Sequence, residues 1–211
     1  MNNLNLQRET SKFLEILSSK GISDKIAKMF EIGLLINDHV VGYFNYDIPG
    51  KFVGSTGLIF PIKDLYGRIV SFYLRKSKND SSKYDSLPFR KDLLFGLHRT
   101  FPFIYKYGAI LVEGPFDVFV LLSHGIFNVC ALLGTNINPF QMCLLRRFTD
   151  KCFVLLDGDP IGRTKSTEIT FKLKEFGFVC KTVYLPQGYD PDTYVKTFGK
   201  DKLYEILSNT Q

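Results

Sequence analysis

The 211-residue chain holds no run of about eighteen apolar residues, the length that a membrane-spanning helix needs, so no membrane partner is expected. The opening Met1-Asn2-Asn3-Leu4-Asn5 lacks the charged, apolar and small-residue regions of a secretory signal, and a cytoplasmic location is expected. Cysteine is sparse: Cys130, Cys143, Cys152 and Cys180 form none of the short-spaced pairs that zinc sites use. No zinc is expected in this chain, and the cysteines read as buried thiols of a reducing compartment. There is no internal repeat and no low-complexity linker. What is present is 45% hydrophobic residues, enough for one substantial domain or two small ones.

The net charge of +6 is concentrated. Between Lys51 and Thr100 stand ten Lys and Arg against four acids, a local excess equal to that of the whole chain. A basic stretch beside a carboxylate-rich one suits an enzyme acting on nucleic acid, because one part neutralises phosphates and the other holds metal.

The texture changes along the chain. Leu6 to Lys20 reads as a helix stopped by Gly21, and Ser23 caps a second, shorter one. Runs at Val40–Phe44, Leu58–Ile62 and Arg68–Leu74 predict antiparallel strands, and Ser77 to Asp85 reads as a polar loop. After about residue 107 strand and helix alternate. Strands are expected at Ala109–Val112, Phe127–Leu132, Cys152–Leu156 and Val179–Tyr184, with helices starting near Pro115, Asn138 and Pro160. Asp192 to Leu207 reads as one or two terminal helices. This rhythm predicts an α/β fold: a parallel four-stranded sheet flanked by helices (107–211), preceded by a smaller basic α+β subdomain (1–106).

Two acidic clusters end apolar strand-like runs, Ile110-Leu111-Val112-Glu113-Gly114-Pro115-Phe116-Asp117 and Cys152-Phe153-Val154-Leu155-Leu156-Asp157-Gly158-Asp159-Pro160. The carboxyl ends of parallel strands form the binding crevice of such sheets, so Glu113, Asp157 and Asp159 are expected to converge. Carboxylates gathered in one crevice repel unless protons or cations intervene, and oxygen-only ligands suit Mg²⁺ or Mn²⁺. The chemistry pointed to is metal-assisted phosphoryl transfer.

These two clusters, the second continuing through Ile161-Gly162-Arg163, with Leu133-Gly134-Thr135 between them and Leu185-Pro186-Gln187-Gly188-Tyr189-Asp190-Pro191-Asp192 after them, resemble in order and spacing the toprim domain of bacterial-type (DnaG-type) DNA primases. Upstream, Lys20-Gly21-Ile22-Ser23, Phe30-Glu31-Ile32-Gly33, Gly67-Arg68-Ile69-Val70-Ser71-Phe72 and Phe89-Arg90-Lys91-Asp92-Leu93-Leu94-Phe95-Gly96-Leu97 resemble the remainder of that family's RNA-polymerase domain. The resemblance covers roughly residues 10 to 208, without the family's zinc-binding, helical and helicase-binding regions.

The resemblance implies synthesis of short RNA primers on single-stranded DNA from ribonucleoside triphosphates, with Mg²⁺ or Mn²⁺ in two sites. It implies Glu113, Asp157 and Asp159 as catalytic metal ligands, and Asp117, Asp190 and Asp192 as further acids of the second metal site. Lys20, Arg75, Lys83 and Lys91 would hold nucleotide and template. Gly134 is expected to allow close backbone approach after the second parallel strand. Further partners would be a replicative helicase or a separate zinc-bearing protein. A toprim nuclease and a non-catalytic single-stranded-DNA-binding accessory stand as alternatives.

Overall fold

A computed structural model of the chain describes residues 3–76 and 84–209. The chain divides into two compact units, one of Met1–Lys63 with Gly67–Arg90 and one of Asp64–Tyr66 with Lys91–Gln211.

The first unit begins with α1 (Asn3–Ser19) and α2 (Asp24–Met29). Gly21, at φ 72°, turns the chain after α1, and the Ser23 hydroxyl accepts from the Ile26 N–H to start α2, as expected. An antiparallel sheet of β1 (Gly33–Ile36), β2 (His39–Gly42), β3 (Gly57–Lys63), β4 (Ile69–Lys76) and β5 (Tyr84–Ser86) follows, in the order β2-β1-β3-β4-β5. Leu35, Phe44, Phe52, Ile59 and Leu74 pack as one of its core clusters. Burying each of these side chains contributes about 2 kcal/mol.

Two elements depart from the sequence reading. β1 is buried at every position, so it shows an unbroken apolar run with no alternation to mark it as a strand. The expected loop Ser77 to Asp85 ends in β5, where Tyr84 pairs with Arg75 and Asp85 with Leu74. Three residues are too short for a period-two pattern, and Ser77 to Lys83 lie outside the described residues.

The second unit is the expected parallel sheet: β6 (Ala109–Val112), β7 (Val129–Ala131), β8 (Lys151–Leu155) and β9 (Val179–Val183), ordered β7-β6-β8-β9. Its helices are α3 (Leu97–Tyr107), α4 (Pro115–Ser123), α5 (Pro139–Arg146), α6 (Pro160–Glu175) and α7 (Pro191–Asn209), the last broken at Gly199. Proline opens α4, α5 and α6, where a missing N–H costs nothing. α4 is apolar on almost every face and is buried accordingly, with Val118, Phe119, Val120 and Leu121 fully enclosed.

The compact second unit starts at Lys91, ahead of the boundary expected after residue 106. Leu94, Leu97 and Ile104 join the same core as Leu111, Cys130 and Val154. Phe95 pairs with Ala131 on the outer edge of β7. The buried Gln141 side chain donates to the carbonyls of Leu93 and Leu132, at 2.8 and 2.9 Å, stitching this segment to the sheet.

Cys130, Cys152 and Cys180 are buried, whereas Cys143 is exposed. Cys143 lies on α5, whose core face is Gln141, Met142 and Leu145, so helical rather than strand periodicity puts it outward. Among the described residues, no helix is long and apolar enough to cross a membrane.

Candidate metal and phosphoryl-transfer site

The acids of the second unit sit where three helices leave three parallel strands. Glu113 follows β6 directly and Asp117 lies in the first turn of α4. Asp157 and Asp159 bracket the turn from β8 into α6, and Asp190 and Asp192 stand at the start of α7 after β9. Each helix presents unsatisfied N–H groups and the positive end of its dipole there, which stabilises negative charge.

Close backbone packing explains the spacing of the central cluster. A Cβ on Gly158 would lie 2.3 Å from the Pro186 carbonyl oxygen, and one on Gly162 would lie 2.3 Å from that of Asp157. Only glycine lets the Asp157–Asp159 turn lie against both the Leu185–Tyr189 segment and the first turn of α6. The Gly158 N–H donates to the Tyr189 carbonyl at 2.8 Å, which fixes the two segments together.

Asp117 is strongly perturbed, first by burial and then by the acids around it. It keeps some solvent contact, yet protein atoms surround it densely enough to strip most water from its carboxyl. Burial, and then the negative charges of Asp157, Asp190 and Asp192, push its pKa up to about 8, against the lowering effect of the Gly114 N–H. The structure therefore brings Asp117, Asp157, Asp190 and Asp192 into one electrostatic cluster. Glu113 and Asp159 flank it along the chain and do not figure in that interaction.

Each of several acids is already occupied. Asp117 Oδ2 accepts from the Gly114 N–H at 3.2 Å and Asp159 Oδ1 from the Gly162 N–H at 2.6 Å. Asp190 Oδ1 accepts from both the N–H and the hydroxyl of Thr193, and Asp192 is ion-paired with Lys196. Among the described residues no group of three or more His, Cys, Asp or Glu is disposed to hold a metal ion as it stands. The residues fit a hard divalent cation in kind, through an all-oxygen donor set whose mutual repulsion a cation would relieve. The bonds at Asp117 and Asp159 each occupy one carboxylate oxygen, which leaves the second oxygen of each for a cation, whereas Asp192 would exchange its ion pair with Lys196 for one with the metal.

Gly134 has open space around the position of a Cβ, so the expected close approach is not there. The tight backbone falls one residue earlier. Leu133 adopts φ 57°, a left-handed conformation that costs a branched side chain energy, and its N–H donates to the Glu113 carbonyl at 3.1 Å. That bond ties the loop after β7 to the acid-bearing end of β6.

The basic residues are described within their own units. In the first, Lys20 lies half-buried after α1 and Arg75 half-buried on β4. Asp85 draws charge from the basic stretch locally: Lys51 meets it at 2.5 Å and Lys76 at 3.9 Å, and the Lys51 hydrogen bond lowers its pKa. Lys83 lies outside the described residues. In the second unit Lys91 is exposed, and its carbonyl accepts from Asn138 Nδ2 at 2.5 Å.

One residue with a place in this site was not singled out by sequence. Arg163, in the first turns of α6, donates to the carbonyls of Gly158 and Leu185. It closes the Asp157-Gly158-Asp159-Pro160-Ile161-Gly162-Arg163 motif, but nothing in the sequence assigns it a role there.

Residues 110–195, which hold the α/β unit with acids at the carboxyl ends of its parallel strands, match the family described as Toprim-like. The chain is 38% identical to a DNA primase of Aquifex aeolicus over 96% of its own length and 45% of that protein. It superposes on the crystal structure of the zinc-binding and RNA-polymerase domains of the Aquifex aeolicus primase with a TM-score of 0.81 and 32% identity, covering 98% of this chain and 60% of that one. A DnaG primase catalytic domain bound to single-stranded DNA matches with a TM-score of 0.76 and 26% identity, over 96% of this chain and 72% of that one. The chain belongs to the DnaG-type primases at the level of their catalytic core. It spans less than half the length of the curated relatives it matches.

Proposed function

We propose that the chain is the catalytic core of a DNA primase, joining ribonucleoside triphosphates into short RNA primers on a single-stranded DNA template in the cytoplasm. The observation that carries this reading is the gathering of Asp117, Asp157, Asp190 and Asp192 at the carboxyl ends of parallel strands, close enough that the last three add to the effect of burial in raising the Asp117 pKa. In the reaction the primer 3′-oxygen bonds to the α-phosphorus, the α–β anhydride breaks and pyrophosphate leaves.

Glu113, Asp157 and Asp159 would hold one divalent ion, with Asp117, Asp190 and Asp192 about a second. Mg²⁺ or Mn²⁺ there would supply activation of the attacking hydroxyl and neutralisation of charge on the α-phosphate and on the pyrophosphate. The carboxylates act as ligands rather than as nucleophiles, and Glu113 also assists removal of the hydroxyl proton. Arg75 grips phosphate through its planar fork, with Lys20, Lys83 and Lys91 adding point charge for triphosphate and template. A replicative helicase or a zinc-bearing protein would complete template choice.

The test is template-dependent incorporation of labelled ribonucleotide on single-stranded DNA with Mg²⁺ or Mn²⁺. Primer-length products that vanish in Asp157→Ala support the reading. Shortening of the template without incorporation would replace it with a nuclease, and template binding without either reaction would replace it with an accessory role. Anomalous scattering from Mn²⁺-soaked crystals should place density between the acids, and density elsewhere alone would refute the ligand assignment.

A further inference from the structure

Two separate chain segments carry acids of the cluster: the turn with Asp157 and Asp159, and the segment from Leu185 that leads into Asp190 and Asp192. Their separation sets the separation of the ligands. Besides the direct Gly158 N–H to Tyr189 bond, a side chain joins them. Arg163 donates from Nε to the Gly158 carbonyl at 3.0 Å and from its terminal nitrogen to the Leu185 carbonyl at 2.7 Å. Its guanidinium also lies 5.5 Å from the ring centre of Tyr184, at the end of β9.

The geometry points to Arg163 as a positioning residue that fixes the spacing of the two acid-bearing segments for divalent-cation binding. This rests on the reading of the acids as metal ligands given above. A guanidinium suits the task because its donors diverge in one rigid plane, so that one group reaches two carbonyls at once and holds their distance. A lysine ammonium carries the same charge without that plane. Its hydrogen bonds go to backbone oxygens, so it shapes the segments without consuming a ligand.

A nearby contact provides the control. Thr167, one turn along α6, bonds the Tyr184 hydroxyl at 3.0 Å, joining the same helix to the same strand end without touching either acid-bearing segment. Mn²⁺ affinity, read from the free-ion electron paramagnetic resonance signal, should be compared in the wild-type chain and in Asp157→Ala, Arg163→Lys, Arg163→Met and Thr167→Val. Thermal melting is recorded for each.

Partners one step removed from a metal typically change its affinity by about tenfold or more when lost. Both Arg163 variants should therefore weaken Mn²⁺ by about tenfold, the lysine failing to rescue, while Thr167→Val leaves affinity unchanged. Unchanged affinity in Arg163→Lys, or an equal loss in Thr167→Val, overturns the positioning role and leaves the ligand assignment standing. Wild-type binding that Asp157→Ala does not remove overturns the ligand assignment and this inference with it. Should Arg163→Met not fold, Arg163→Lys decides alone.

Discussion

Replacing Asp117 with Asn should stabilise the protein increasingly as pH rises. In the unfolded chain this carboxyl titrates near 3.8, and in the fold its pKa is pushed up to about 8, burial first and the charges of Asp157, Asp190 and Asp192 next. The folded state thus binds the proton more tightly than the unfolded one. The stability from Asp117 is fully present below the unfolded pKa and is lost as pH rises through the folded one. Each pH unit between the two corresponds to about 1.4 kcal/mol, so by pH 7 the loss approaches about 4 kcal/mol. Partial solvent contact makes that an upper bound. Asparagine cannot ionise and keeps an oxygen for the Gly114 N–H. Urea denaturation of both proteins, without divalent cations, should show the Asn variant gaining up to about 3 kcal/mol on wild type between pH 5 and pH 7. The gain should level off above pH 8, where Asp117 ionises in both states. A difference that stays flat from pH 5 to pH 8 would refute the raised pKa.

Asp159→Ala should abolish nucleotidyl transfer and also cost about 1 kcal/mol of stability through loss of the α6 cap, a drop in melting temperature of roughly 2–4 °C, whereas Asp157→Ala should lose activity without the cap penalty. Steady-state kinetics should separate the basic residues from the acids: Arg75→Ala and Lys83→Ala raise the KM for ribonucleotide and are partly rescued at saturation, while Asp157→Ala lowers kcat at every concentration. Unchanged constants in the first two would mark them as ordinary surface charges. Binding of a labelled single-stranded oligonucleotide should weaken steeply with salt, since phosphates would be met by the Lys51–Thr100 basic stretch; an affinity indifferent to salt would exclude that face.

The parallel sheet was legible because each strand ends in a chemical signal as well as an apolar run. Glu113-Gly114-Pro115 and Asp157-Gly158-Asp159-Pro160 mark both a strand end and a proline-opened helix, so motif and fold are the same residues. What hid was of three kinds. α3 carries Pro102 in its interior, a residue that argues locally against helix, and packing of Leu97, Thr100 and Ile104 overrides it. The strain next to Gly134 was hidden because the loop puts its left-handed residue at Leu133, where no side chain advertises it. Arg163 stood at the end of a recognised motif, but its partners are backbone oxygens, which leave no trace in residue identity. The acids were placed correctly along the strands, but their occupation by Gly114, Gly162, Thr193 and Lys196 belongs to the tertiary structure alone.

The pairing of Phe95 with Ala131 bears on how the protein can be dissected. β7 is an outer strand, and its free side would otherwise offer unpaired N–H and C=O groups to any passing chain. The Phe95 N–H donates to the Ala131 carbonyl at 2.8 Å and the Ala131 N–H returns a bond to Phe95 at 3.0 Å, capping that side. A fragment cut at residue 107 to isolate the alternating strand–helix region would uncover this edge, lose the Leu94, Leu97 and Ile104 side chains beneath it and strand the Gln141 amide without one of its acceptors. Such a fragment would be sticky rather than merely smaller. A cut ahead of Lys91 keeps the shield with the sheet that needs it.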